Sequence, residues 1–221
     1  AFNLFGFSVS SAGDVNGDGY SDVIVGAYGY YSNTGRAYIY FGGPAMNNTA
    51  DLIMSGETID SYYGFSVSTA GDVNGDGFSD VIVGAGISSD FGKAYIYFGG
   101  ASMNNTEDVT MTGEASTNYF GESVSSAGDV NGDGYSDVII GANGFNSNTG
   151  KAYLFFGGTS MNNTPDAAMT GEATNNFFGR YPPGEDSAPL LTTPIMKKKI
   201  IIKPDMDWQL GEYARTQDFH F

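Results

Sequence analysis

Residues Gly13–Ala27 read GDVNGDGYSDVIVGA, and the stretch returns as GDVNGDGFSDVIVGA at Gly71–Ala85 and as GDVNGDGYSDVIIGA at Gly128–Ala142. Its first half is a glycine-rich polar turn. Its second half is a continuous β-branched run, as expected of a strand covered on both faces. Upstream, Phe7–Val15 (FSVSSAGDV) alternates large and small side chains like a strand with two unlike faces. Downstream, a polar loop leads to a third, aromatic strand at Ala37–Gly43 (AYIYFGG), which recurs at 94–100 and as AYLFFGG at 152–158. Asp51–Gly56 (DLIMSG) reads as a weaker fourth strand. The loop MNNT (Met46–Thr49, Met103–Thr106, Met161–Thr164) joins the third strand to the fourth; Asn47, Asn104 and Asn162 fit the N-x-T pattern, but asparagine pairs favour a turn.

The unit has a fixed period. Phe5-Gly6 is matched by Tyr63-Gly64, Phe120-Gly121 and Phe178-Gly179, at separations of 58, 57 and 58 residues. Residues 1–180 therefore hold three full repeats (about 5–62, 63–119 and 120–177) and the start of a fourth at 178. Four short strands per unit is the pattern of a β-propeller blade, in which each small antiparallel sheet buries its faces against its neighbours. The expected fold is all-β, built of such blades. Three blades do not close a ring, which takes about four to eight. Closure then falls to the tail, to a second copy in a homo-oligomer, or to a longer array of which this is a part. Residues 181–221 lose the pattern abruptly and hold the only Trp (Trp208), the only His (His220) and five of the seven prolines. Met196–Lys203 reads as an edge strand protected by its lysines. The abrupt change suggests a frameshift or junction inside a longer array.

Composition agrees. With 33 glycines, 7 prolines and 14% aromatic residues among 221, the chain suits many short strands and frequent turns. Residues 1–179 set 19 acids against three bases (Arg36, Lys93, Lys151) and carry the whole formal charge of −16. Such a surface repels nucleic acid and anionic lipid and attracts cations. No 18-residue apolar span is present, which argues against membrane insertion, and the first residues, AFNLFG, lack the features of a secretion signal. Without cysteine there is neither a disulfide framework nor a thiolate metal site.

The chemistry sits in the turns. With Asp14 as position 1, Asn16, Asp18 and Asp22 occupy positions 3, 5 and 9, and the Tyr20 carbonyl position 7. The second set is Asp72, Asn74, Asp76, Phe78 and Asp80; the third is Asp129, Asn131, Asp133, Tyr135 and Asp137. Alternate side chains on a curled loop converge, and a hard cation such as Ca²⁺ takes about six to eight oxygens from carboxylates, amides, backbone and water. The expectation is about three Ca²⁺ per chain. Mg²⁺ prefers to keep its waters in a strict octahedron, and zinc lacks its usual His or Cys ligands. An EF-hand is excluded because its position-12 Glu is replaced by Val25, Val83 or Ile140. The bland alternative is that the aspartates only shape Asx turns.

The succession of Phe-Gly, aspartate-rich loop and Gly-Ala strand end resembles the FG-GAP repeat of the integrin alpha-subunit propeller and its bacterial relatives. The resemblance covers residues 1 to about 180. It implies a propeller, usually of seven blades, with structural Ca²⁺ held in hairpins between the first two strands of a blade. It also implies a role in extracellular or cell-surface adhesion or ligand recognition. The proline of the family's Gly-Ala-Pro is replaced here by Tyr28, Gly86 and Asn143.

The repeats contain no histidine, and their carboxylates lie in loops suited to saturating an ion, so an enzyme is not expected. His220, one residue from the C-terminus, has no evident orienting partner. Tyr38, Tyr40, Tyr95, Tyr97 and Tyr153 fit a core better than a sugar-binding surface. The expected partner is a protein or carbohydrate, met by the variable loops Gly29–Gly35, Ile87–Gly92 and Gly144–Gly150. Two alternatives stay open: a non-catalytic propeller segment of a secreted carbohydrate-active or phospholipase-type enzyme, and a structural repeat spacer.

Overall fold

A computed structural model describes residues 3–86 and 91–180. Within them, β1 (Ser8–Gly13), β2 (Asp22–Ala27), β3 (Arg36–Tyr40) and β4 (Leu52–Ser55) form one antiparallel meander. The next is β5 (Ser66–Gly71), β6 (Asp80–Ala85), β7 (Lys93–Tyr97) and β8 (Val109–Thr112). The third is β9 (Phe120–Gly128), β10 (Asp137–Ala142), β11 (Lys151–Phe155) and β12 (Ala167–Thr170). The protein is thus all-β, with one four-stranded propeller blade per repeat. The expected edge strand Met196–Lys203, with the rest of the tail, and residues 87–90 of the second variable loop lie outside the described residues.

Side chains, not propensity, set the strand ends. β1 stops at Gly13, short of Val15, because the Val15 N–H turns to the Asp22 carboxylate at 2.8 Å. β3 stops at Tyr40 because the next two N–H groups leave the ladder: Phe41 donates to Asp51 at 2.8 Å and Gly42 to Asp22 at 2.7 Å. The MNNT loops are Asx turns, with the Thr49, Thr106 and Thr164 N–H groups donating to Asn47, Asn104 and Asn162, each at 2.7 Å.

The core lies between blades. Ile24, Ile39 and Met54 of the first blade pack with Tyr63, Val67, Val81, Val83, Tyr95 and Tyr97 of the second. Ile82, Ile96 and Met111 of the second pack in turn with Phe120, Val138, Ile140, Tyr153 and Phe155 around the third. Strand β6 therefore sends Val81 and Val83 to one neighbour and Ile82 to the other. That is why its sequence is apolar without alternation. Full burial of each such side chain contributes about 1.5–3 kcal/mol. Tyr95, Tyr97 and Tyr153 are core residues as expected, whereas Tyr38 and Tyr40 are half-buried. The Tyr63 hydroxyl is hydrogen-bonded to that of Tyr97 at 2.7 Å inside the core.

The Phe-Gly and Gly-Ala elements meet across the junctions. A Cβ on Gly26 of β2 would lie 2.1 Å from the Gly64 carbonyl oxygen, and one on Gly84 of β6 would lie 2.1 Å from that of Gly121. Gly141 faces Gly179 in the same way, and the Ser123 hydroxyl donates to the Gly179 carbonyl at 2.6 Å. Glutamates reinforce the junctions from the linkers: Glu57 pairs with Lys93 at 2.9 Å and Glu114 with Lys151 at 2.8 Å.

Candidate metal centre

Each aspartate turn is the hairpin loop between the first two strands of its blade, so all three lie at the same end of their sheets. The first loop builds itself around Asp14. Its Oδ1 accepts N–H bonds from Gly17 (2.7 Å) and Asp18 (3.1 Å), and its Oδ2 accepts one from Gly19 (2.9 Å). Asn16 Oδ1 accepts from the Asp18 N–H at 2.9 Å, while its amide nitrogen donates to Asp18 Oδ2 at 3.0 Å. Asp18 Oδ1 accepts from the Tyr20 N–H at 2.9 Å. Gly17, at φ +76°, and Gly19, at φ +88°, supply the left-handed turns that fold five residues onto one carboxylate. The second and third loops repeat every one of these bonds around Asp72 and Asp129.

Asp22, Asp80 and Asp137 sit apart from these surface ladders. Each opens a strand, is fully buried, and spends both oxygens on backbone N–H groups. Asp80 takes Val73 at 2.7 Å and Gly99 at 2.8 Å; Asp137 takes Val130 at 2.7 Å and Gly157 at 2.9 Å. Position 9 is thus a strut tying the loop to the end of the third strand. Burial raises all three carboxyls above the ordinary Asp range, against the pull of those N–H bonds, and the carboxylates at positions 5 and 1 push the same way. Asp80, with a blade on either side, is pushed up to about 7.

Among the described residues, no three carboxylates are drawn together as a ready-made cation cage. The donor set nevertheless fits a hard cation. Every side-chain acceptor offered by positions 1, 3 and 5 is an oxygen. An ionised carboxylate has about four lone-pair sites, so the N–H bonds accepted leave sites open. No described basic side chain is hydrogen-bonded to a loop carboxylate: Lys93 and Lys151 serve the glutamates, and Arg36 bonds Ser55 at 3.1 Å while covering the Tyr30 ring. The position-7 aromatics turn outward from the ligand side chains. Phe78 packs on Gly17 of the preceding loop and Tyr135 on Gly75, while Tyr20 lies against Gly42 and Gly43 of its own blade. Spacing alone did not reveal this packing, nor the strut role of position 9, because the partners lie one strand or one repeat away.

The FG-GAP repeat pattern matches residues 5–40, 63–97 and 120–155. The matches run from Phe5, Tyr63 and Phe120 to Tyr40, Tyr97 and Phe155, the last residues of β3, β7 and β11, and leave the fourth strand of each blade outside. The chain is 36% identical over 144 residues to integrin alpha-6 of Gallus gallus, covering 62% of this chain and 13% of that protein. It is 34% identical over 142 residues to human integrin alpha-6, covering 62% and 12%, and 32% identical over 157 residues to integrin alpha-5 of Xenopus laevis, covering 64% and 15%. The chain thus spans a small part of the length of these relatives. With three matched repeats, each folded as one blade, the chain belongs to the FG-GAP repeat family.

Proposed function

We propose that this chain is a calcium-binding, integrin-alpha-like propeller module for adhesion or ligand recognition outside the cell, with calcium in a structural role. The observation that carries this reading is the threefold recurrence of an all-oxygen loop without a basic partner among the described residues, in a chain related to integrin alpha subunits. Positions 1, 3, 5 and 9 and the position-7 carbonyl of each loop would hold the ion, about three per chain. Bound Ca²⁺ screens carboxylates that otherwise repel one another and so links cation binding to folding.

The meander leaves the loops after β2, β6 and β10 at the opposite end of each blade. These loops are free of the cation's demands, and they are the surface offered to a protein or carbohydrate partner. The module binds and does not catalyse: its buried carboxylates are struts, and its surface carboxylates are loop formers. The net charge of −16 argues against nucleic acid as the partner.

The test is a calorimetric titration of Ca²⁺ into chelator-stripped protein, with Mg²⁺ as control and a melting curve at each end point. About three sites per chain and a raised melting temperature are expected; at a free concentration 100 times Kd each site adds about 2.7 kcal/mol. Folded protein that binds no Ca²⁺ refutes the reading.

A further inference from the structure

The three aspartate loops are joined to one another through backbone. The Ser79 N–H, at position 8 of the second loop, donates to the Asp14 carbonyl at position 1 of the first, at 3.0 Å. The Ser136 N–H of the third loop donates to the Asp72 carbonyl of the second at 2.9 Å. A second bond backs each: Gly100 N–H to the Val15 carbonyl at 2.8 Å and Gly158 N–H to the Val73 carbonyl at 2.7 Å. The aromatic at position 7 closes the contact. A Cβ on Gly17 would lie 2.4 Å from the Phe78 ring, and one on Gly75 would lie 2.4 Å from the Tyr135 ring.

We propose that the loops bind cations as a coupled row, each loop clamped at positions 1 and 4 by positions 7 and 8 of the next. The inference rests on the cation-binding reading above and adds to it how the sites regulate one another. Positions 7 and 8 serve two loops: the position-7 carbonyl is offered to the cation of its own loop, while its ring and the following N–H hold the loop before it. Filling the second loop fixes Phe78 and Ser79, which pre-orders Asp14 and Gly17 and lowers the ordering cost of filling the first. The third loop acts on the second in the same way. Such coupling is reciprocal, and couplings between sites commonly amount to about 5- to 150-fold in affinity.

The experiment uses the full chain, with Ca²⁺ alone as the probe. Phe78→Ala removes the ring from Gly17 but leaves the position-7 carbonyl and every carboxylate. Calorimetry and amide hydrogen exchange are read on wild type and variant. The expected result is a roughly five- to tenfold loss of affinity at one site, with faster exchange of the Gly17, Asp18 and Gly19 amides in calcium while the third loop keeps its protection. Asp133→Asn, which weakens the third cation, gives an independent arm: calcium protection of the Gly75, Asp76 and Gly77 amides should fall with it. Unchanged isotherms and unchanged exchange in the preceding loop in both variants overturn the coupling while leaving cation binding standing. Folded wild type that binds no Ca²⁺ overturns both.

Discussion

Gly84→Ala tests whether the blades are held at a distance set by glycine. The new Cβ would lie 2.1 Å from the Gly121 carbonyl oxygen and 2.2 Å from Ser66 Oγ. A carbon approaches an oxygen no closer than about 3.3 Å, so one backbone must retreat by roughly 1 Å. The Gly121 carbonyl is backbone and cannot escape by changing rotamer, whereas the Ser66 hydroxyl can swing away only by giving up its present position. Overpacking of a core costs about 1–3 kcal/mol where side chains can adjust, and the upper end applies here. The Ser66 hydroxyl donates to that same Gly121 carbonyl at 2.9 Å, and losing this bond adds about 1 kcal/mol. The sum is about 4 kcal/mol, which for a protein of this size corresponds to a drop of about 8–16 °C in Tm. Circular-dichroism melts at fixed calcium would measure it. A Tm within about 2 °C of wild type would show that the junction yields freely and that the glycine pairing does not set blade spacing.

Tyr63→Phe leaves the buried Tyr97 hydroxyl without its 2.7 Å partner and should cost about 1–2 kcal/mol in urea unfolding. The double variant Tyr63→Phe/Tyr97→Phe should cost less than the two single changes added together; strict additivity would refute a coupled pair. Glu57 is held below the usual carboxylate range by its hydrogen bonds to the Lys93 ammonium, helped by the Tyr95 hydroxyl. A depressed folded-state value contributes stability above the ordinary Glu value near 4.5, lost as pH falls through the folded value. Because the pair is half exposed, the effect should be below about 1 kcal/mol. The Tm difference between wild type and Glu57→Gln should therefore be present at pH 6 and vanish in strong acid; a difference constant across that range would refute the assignment.

The strands were legible because hydrophobic periodicity and the 57- to 58-residue repeat are written locally. DVIVGA announced a strand covered on both faces, and β6 delivers it, with Val81 and Val83 packed on one blade and Ile82 on the other. What could not be read were contacts whose partners are distant in the chain. Gly26 meets Gly64, Asp22 holds the Gly42 N–H, and Ser79 bonds Asp14. The spacing of Asp22 from Asp14 suggested a ligand like the others. Its burial and double backbone bonding, invisible in the sequence, give it a structural task as well. The third strand likewise ends early because Asp51 and Asp22 capture the next two N–H groups.

The glycine-on-glycine junctions also bear on how such a chain can grow. Gly26 with Gly64, Gly84 with Gly121 and Gly141 with Gly179 are the same contact made three times, so each blade carries one donor face and one acceptor face of fixed shape. A duplicated unit inserted in phase would find both of its faces already matched, and no other junction would need to change. Damage obeys the same rule: a side chain placed on one of these glycines wedges a single seam and leaves the others intact. Gene duplication can therefore lengthen the array without redesign, while the variable loops at the far end of each copy remain free to diverge.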